Sequence, residues 1–252
     1  MRHLNAHTLI QPGTRAVCFD AVGTLIFPAV PPADTYADVA RRQGLTIDPA
    51  VIRPRFVAAF RAEEDADRLT GWVTDEAREH ERWRRIVTAS LPELPDPDRG
   101  FAELFAHFAR PGAWSVHPDA AAVFEELAQR GITLGIGSNF DARLSDVVAG
   151  HPVLRPVAGR VVVSATVGYR KPAPRFFAEV VRVAGCAAAE IVFVGDDLEN
   201  DYHGPEAAGL VPVLLTDGDA KGYRRVTRLR DLVGEPGAVR PRVFPGRGSP
   251  GA

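Results

Sequence analysis

Lysine is almost missing from this 252-residue chain: only Lys171 and Lys221 occur, and every other basic residue is arginine. Arginine clusters therefore say little here, and the two lysines say more. Cysteine is equally scarce. Cys18 and Cys186 cannot build a disulfide framework, and Cys18, inside an apolar run, reads as a small buried residue. Net charge is only −2, which gives no reason to expect nucleic acid or an anionic membrane as partner. No apolar run exceeds strand length, so none spans a bilayer. Met1 to Arg15 is polar and lacks the apolar centre of a signal peptide, and a cytoplasmic protein is expected. There are no internal repeats, and nothing in the pattern sets the oligomeric state. The rest is average for a globular chain, 46% hydrophobic and 25% charged, with a length suiting one domain plus an insert.

The most informative segment is Ala16-Val17-Cys18-Phe19-Asp20-Ala21-Val22-Gly23-Thr24. A buried strand here delivers a carboxylate to its C-terminal end, where open α/β sheets place ligands. Gly23 permits a tight turn and Thr24 adds a hydroxyl. Four more short, continuously apolar runs follow, at Ile132–Gly137, Arg160–Ser164, Ile191–Gly195 and Val211–Leu215. Continuous rather than alternating runs suit a parallel sheet covered on both faces. Helices are expected at Asp119–Arg130, Ala142–Ala149, Pro174–Ala184 and Glu199–Ala208. The alternation predicts a Rossmann-like, doubly wound α/β core.

Residues 28–110 break that alternation. They read as amphipathic helices, at Ala33–Gln43, Ile52–Leu69, Asp75–Ala89 and Arg99–Ala109. The expected organisation is a core of residues 1–27 and 111–233 with a helical cap of residues 28–110 over the mouth of the site. The Gly-, Pro- and Arg-rich stretch 234–252 is expected to be a disordered tail.

Four polar segments then fall at strand ends: Asp20–Thr24, Gly137–Asp141, Val167–Pro172 and Val194–Asp201. Each has an ordinary reading alone, as a turn former, helix cap or solvated pair. Together they concentrate Asp20, Asp196, Asp197 and Asp201, whose mutual repulsion a divalent cation would relieve. All-oxygen ligands suit Mg²⁺ rather than zinc. Lys171 adds fixed positive charge, and Ser138 and Thr24 add hydroxyls. Such a set can hold a phosphate and stabilise its oxygens during transfer, with Asp20 as nucleophile forming an aspartyl-phosphate.

These segments resemble motifs I to IV of the haloacid dehalogenase superfamily: Asp20–Thr24, Ser138, Lys171 and Gly195-Asp196…Asp201. The position of the helical insert resembles a member with a C1 cap. Phe19–Leu25, Ser138–Leu144 and Asn200–Gly204 are similar to the REG-2-like or HDHD3-like subgroup. The resemblance runs from about Arg15 to Leu215 and says nothing of substrate. It implies that Asp20 is nucleophile and Mg²⁺ ligand, and that the Val22 carbonyl and Asp196 are further ligands. Asp201 would act through water, with Asp197 a less direct candidate. Ser138, Asn139 and Lys171 would hold the transferred group, and Lys171 would restrain Asp20.

One departure matters. Family phosphatases mostly carry a second Asp where this chain has Val22. That group protonates the leaving group and then activates water, which is worth about 10²–10⁴-fold. Slow hydrolysis of simple esters is therefore expected, unless an insert residue such as Asp34, Glu63, Glu64 or His80 substitutes. The resemblance leaves two other readings. A 2-haloacid dehalogenase would need no metal, and the acidic Asp196–Asp201 segment argues against it; Arg41 or Arg42 would then meet a substrate carboxylate. Phosphonatases need a cap lysine, and residues 28–110 contain none. A phosphoryl-ligand binding protein without turnover is the third reading. The expectation is a Mg²⁺-dependent hydrolase of a phosphorylated small molecule. Trp72, Trp83 and Trp114 are expected in the core rather than facing substrate, and His117 in a loop.

Overall fold

The computed structural model describes residues 9–218 and 220–234; the expected tail, apart from Gly234, lies outside them. The chain enters through β1 (Ala16–Phe19) and turns at Asp20–Leu25 into β2 (Ile26–Pro28). Four helices follow: α1 (Pro32–Arg42), α2 (Pro49–Leu69), α3 (Glu76–Ser90) and α4 (Pro97–His107). Proline opens α1, α2 and α4, where no amide proton is needed. Asp48, Asp75 and Asp96 cap α2, α3 and α4 by accepting from the amides of Ala50, Arg78 and Arg99. β3 (Trp114–Val116) then returns antiparallel to β2, closing a short ribbon at the base of the insert.

The remainder alternates: α5 (Ala120–Gln129), β4 (Thr133–Ser138), α6 (Arg143–Ala149), α7 (Arg155–Ala158), β5 (Val161–Val163), α8 (Ser164–Val167), α9 (Pro174–Ala184) and β6 (Ile191–Gly195). A single π-helical turn at Leu198–His203 leads through α10 (Gly204–Ala207) to β7 (Val211–Leu215) and β8 (Arg225–Val226). The sheet is parallel, in the order β5-β4-β1-β6-β7-β8. The expected doubly wound α/β core is present. β8 and the β2–β3 ribbon add to it, being too short to leave a hydropathy signature. The helix expected at Glu199 begins instead as the π turn.

Strand periodicity explains the two buried faces. Val17 and Phe19 of β1 pack with Phe124, Leu127 and Leu144 on one side. Ala16 and Cys18 pack with Phe176, Phe177 and Phe193 on the other. The insert has its own core, including Tyr36, Val39, Ile52, Val87, Leu91, Phe101 and Leu104. Burying each such side chain stabilises by roughly 1.5–3 kcal/mol and holds the four helices against one another.

The insert meets the sheet a second time, far from the ribbon. The α2–α3 turn lies along the loop before α9: Thr74 N–H donates to the Gly168 carbonyl at 3.1 Å, and Arg170 N–H to the Trp72 carbonyl at 2.9 Å. Beneath this bridge sits a buried ion network. Asp67, 1% exposed, faces Arg78, Arg82 and Arg170, and Glu79 faces Arg170. Among the described residues no helix is long and apolar enough to cross a membrane.

Candidate active site

β1 lies between β4 and β6, so the loops after these strands converge at its C-terminal end. Asp20 follows β1 directly and its N–H donates to the Val194 carbonyl at 2.8 Å. Its side chain is held from two sides. Ser138 Oγ, at the end of β4, donates to Asp20 Oδ1 at 3.0 Å. Lys171 Nζ donates to the same oxygen at 2.6 Å, to Asp201 Oδ1 at 2.6 Å and to the Gly137 carbonyl at 3.1 Å. Lys171 is fully enclosed. Burial alone would lower its pKa, but the charges of Asp20 and Asp201 outweigh that and raise it, so the ammonium persists.

Asn139 fixes Lys171 rather than reaching inward. Its Oδ1 accepts from Lys171 N–H at 2.7 Å and its Nδ2 donates to the Lys171 carbonyl at 3.1 Å. Thr24, fully buried, donates to Asp196 Oδ1 at 3.1 Å. Gly23 has φ +96°, and a Cβ there would lie 2.4 Å from Asp196 Oδ2. The turn thus needs glycine both for its backbone and for the approach of Asp196. Asp197 caps the π turn by accepting from Asn200 N–H at 2.7 Å. The widened turn swings Asp201 back, where its Oδ2 accepts from Asp197 N–H at 3.1 Å. Gly195 makes room for it, since a Cβ there would lie 2.3 Å from the Asp201 carboxyl carbon.

Oxygen atoms of Asp20, Asp196 and Asp201 lie within 4.8 Å of one another. Three carboxylates against the one ammonium leave two negative charges uncompensated. Burial, and after it their mutual repulsion, raises the pKa of two of them. Asp196 is pushed up to about 6, by burial first and by the charge of Asp20 second. Asp201 is pushed up to about 7, chiefly by burial, with the charge of Asp20 adding to it and Lys171 opposing. An all-oxygen donor set with this charge deficit fits a hard divalent cation such as Mg²⁺.

The Val22 side chain does not join this polar cluster. It is 37% exposed and lies on the floor of a cavity of about 240 Å³ between the insert and the strand ends. Phe140 and Trp114 continue the floor, and Phe56, Phe60 and Trp83 of the insert form much of the roof. Trp83 and Trp114, expected purely in the core, thus pack against it and also face this space.

None of the sequence candidates for a substitute acid reaches the cavity. Asp34 lines a separate groove between α1 and α2. Glu63 is buried and paired with Arg78 at 2.8 Å. His80 stacks edge-on against Phe101 and Phe105. Glu64 is half-buried and its pKa is raised, mainly by burial, with Asp197 adding to it. Arg41 and Arg42 pair on the surface with Asp38 and Glu103. Arg143 lines the cavity instead. It was invisible in a chain so rich in arginine, although it stands five residues after Ser138. His117 lies in the loop after β3, as expected, and its Nδ1 accepts from Asp119 N–H at 3.1 Å. Cys18 is pushed up to about 12 by burial and is inert at neutral pH.

A family model for haloacid dehalogenase-like hydrolases matches residues 14–209. Haloacid dehalogenase-like hydrolase domain-containing protein 3 of Homo sapiens is 31% identical over 211 residues, which is 82% of this chain and 83% of that protein. Glyceraldehyde 3-phosphate phosphatase of Methanopyrus kandleri is 27% identical over 205 residues, 81% of this chain and 84% of its own. A solved defluorinating L-2-haloacid dehalogenase superposes with a TM-score of 0.71 at 21% identity, covering 90% of this chain and 98% of that one, a likeness of fold. Sequence, fold and the convergence of Asp20, Ser138, Lys171 and Asp196 at the strand ends agree: the chain belongs to the haloacid dehalogenase-like hydrolases.

Proposed function

We propose that this chain is a Mg²⁺-dependent hydrolase of a phosphorylated small molecule, working through an aspartyl-phosphate on Asp20. The observation that carries the reading is the treatment of Asp20. Both side-chain donors, Ser138 and Lys171, bind Oδ1, which orients Oδ2 for in-line attack on phosphorus. Asp20, Asp196 and the Val22 carbonyl would hold Mg²⁺, with Asp201 behind a water. The ion, when bound, neutralises charge on the phosphoryl oxygens. Lys171 would add positive charge and Ser138 a hydrogen bond to the phosphoryl oxygens, and Asn139 keeps Lys171 in place through its backbone. Thr24 sets the rotamer of Asp196. Water then cleaves the acyl-phosphate at Asp20. Residues 28–110 act as a cap over the strand ends of the core, excluding bulk solvent. Two free cysteines suit a reducing compartment such as the cytoplasm.

No carboxylate stands at position 22, so protonation of the leaving oxygen is left to water. That favours leaving groups that depart as stable anions. The test is hydrolysis of p-nitrophenyl phosphate with Mg²⁺ and with EDTA, by wild type and Asp20→Asn. Mg²⁺-dependent turnover that vanishes in the variant is expected. Turnover surviving in Asp20→Asn would sink the mechanism. Halide release from 2-chloropropionate without any phosphate-ester hydrolysis would move the reading to dehalogenation, which Val22 and its apolar surroundings favour.

A further inference from the structure

We infer that the part of the substrate left behind by phosphoryl transfer is apolar, an aryl or short alkyl group seated in the cavity above Val22. The inference rests on the phosphohydrolase reading above and names its substrate class. Three observations converge on it.

The first is place. Val22 and Phe140, on the cavity floor, stand two residues after Asp20 and Ser138. The cavity thus borders the loops that carry Asp20 and Ser138, which do not themselves line it, and is the space beside a phosphoryl group at Asp20 in which we place its substituent.

The second is the wall. It is mostly aromatic and aliphatic, and two of its few polar side chains, Arg143 and Trp114, are already engaged. Arg143 Nε and Nη2 donate to the Asp141 carboxylate at 2.8 and 2.7 Å, and Nη1 donates to the Phe105 carbonyl at 2.9 Å. Its guanidinium also lies over the Phe105 ring. Trp114 Nε1 donates to the Phe108 carbonyl at 3.1 Å. The Tyr36 hydroxyl and the Trp83 Nε1–H make no hydrogen bond among the described residues, and Arg143 has N–H donors to spare, so the side chains offer an occupant only a few scattered donors in an otherwise apolar wall. A sugar phosphate would bury several unpaired hydroxyls, each costing roughly tenfold or more in affinity.

The third is size. A cavity of about 150 Å³ accepts benzene. The space here, about 240 Å³, accepts a phenyl ring and about two or three further methylenes. An apolar occupant also explains why valine is tolerated at position 22, since a carboxylate facing such a group would be desolvated without a partner.

The experiment is a series of 4-alkylphenyl phosphates from phenyl to 4-hexylphenyl, run on the full chain with Mg²⁺. The leaving-group chemistry is nearly constant along the series, so changes in kcat/KM report the cavity. We expect kcat/KM to rise about fourfold per methylene, up to about three, and then fall. Phenyl phosphate should exceed glyceraldehyde 3-phosphate by about 100-fold or more, given two polar groups, a hydroxyl and an aldehyde, left without partners. Trp83→Ala should move the optimum to longer chains. In parallel, 4-alkylphenols without phosphate are titrated against tryptophan emission, since Trp83 and Trp114 both line the cavity. Hydrolysis that is flat along the series, or best with the sugar phosphate, overturns the apolar subsite while leaving the phosphohydrolase reading intact. Alkylphenols that bind more tightly with chain length, with no phosphate ester hydrolysed, support the cavity assignment and refute the hydrolase reading. Neither hydrolysis nor binding overturns the inference.

Discussion

Replacing Val22 with Asp should convert a selective, slow catalyst into a more general one. The side chain is 37% exposed and lies on the cavity floor, so the substitution disturbs no packed core. The new carboxyl would stand beside Gly23, whose Cβ position is 2.4 Å from Asp196 Oδ2, and below apolar walls. Negative neighbours and poor solvation both raise a carboxyl pKa, so the group would be protonated near neutral pH and able to donate. General acid assistance is worth about 10²–10⁴-fold, or roughly 2.7–5.4 kcal/mol of barrier. The gain must depend on the leaving group. An alkoxide needs a proton as it departs, and p-nitrophenolate does not. With butyl phosphate the variant should gain about 100-fold or more in kcat/KM; with p-nitrophenyl phosphate it should gain less than about tenfold. Steady-state kinetics on both esters, with Mg²⁺ saturating and the fold checked by circular dichroism, decide the matter. Equal gains on the two esters, or none on either, would show that position 22 is not where the leaving oxygen sits.

Asp67→Asn should destabilise the protein strongly. It removes the charge facing Arg78, Arg82 and Arg170, of which Arg82 and Arg170 are 1% and 3% exposed. Breaking such a buried set costs about 3–5 kcal/mol, or roughly 6–20 °C in Tm for a domain this size; a loss under about 1 kcal/mol in urea unfolding would contradict the network's role. Metal binding should depend on pH with a definite sign. Folding raises the pKa of Asp196 and Asp201, to about 6 and about 7, so the metal-free fold binds more protons than the unfolded chain between about pH 4 and 7. The stability these groups contribute is present below that window and lost as pH rises through it. Mg²⁺ competes with the same protons, so the Tm increment given by Mg²⁺ over EDTA should grow from pH 5 to pH 8; an increment that is flat or shrinks would exclude this carboxylate cluster as the metal site. Gly23→Ala strains a φ of +96° and drives a methyl group into Asp196. Mg²⁺ affinity by titration calorimetry should fall about 10–100-fold, as when other groups that orient metal ligands are removed, and an unchanged affinity would contradict the assigned role of Asp196.

The polar centre was legible in the sequence because its parts are local. Asp20, Ser138 and Asp196 each end or follow a continuous apolar run, and such runs become parallel strands whose C-terminal ends share one edge. Gly23 announced its turn, and the scarcity of lysine singled out Lys171. The four insert helices were legible from their periodicity and their Pro or Asp starts. Other features depend on which distant segments meet. The β2–β3 ribbon and β8 are two or three residues long and exist only because a partner strand is present. The π turn at Leu198–His203 is set by the Asp197 carboxylate accepting from Asn200 N–H and the Asp201 carboxylate accepting from Asp197 N–H, a balance that helical periodicity does not encode. Asn139 was expected to touch the transferred group, but its amide matches the backbone of Lys171 from another loop. The Asp67–Arg170 pairing joins the insert to the sheet across the chain, in a sequence where arginine is everywhere. The cavity has no signature of its own, because Val22, Trp83, Phe140 and Arg143 face one space only once the insert is seated. Sequence alone thus determined the sheet and the carboxylate chemistry at its edge, through local hydrophobic patterning. Tertiary structure decided what that chemistry faces, because the shape and polarity of a space between two packed units belong to neither.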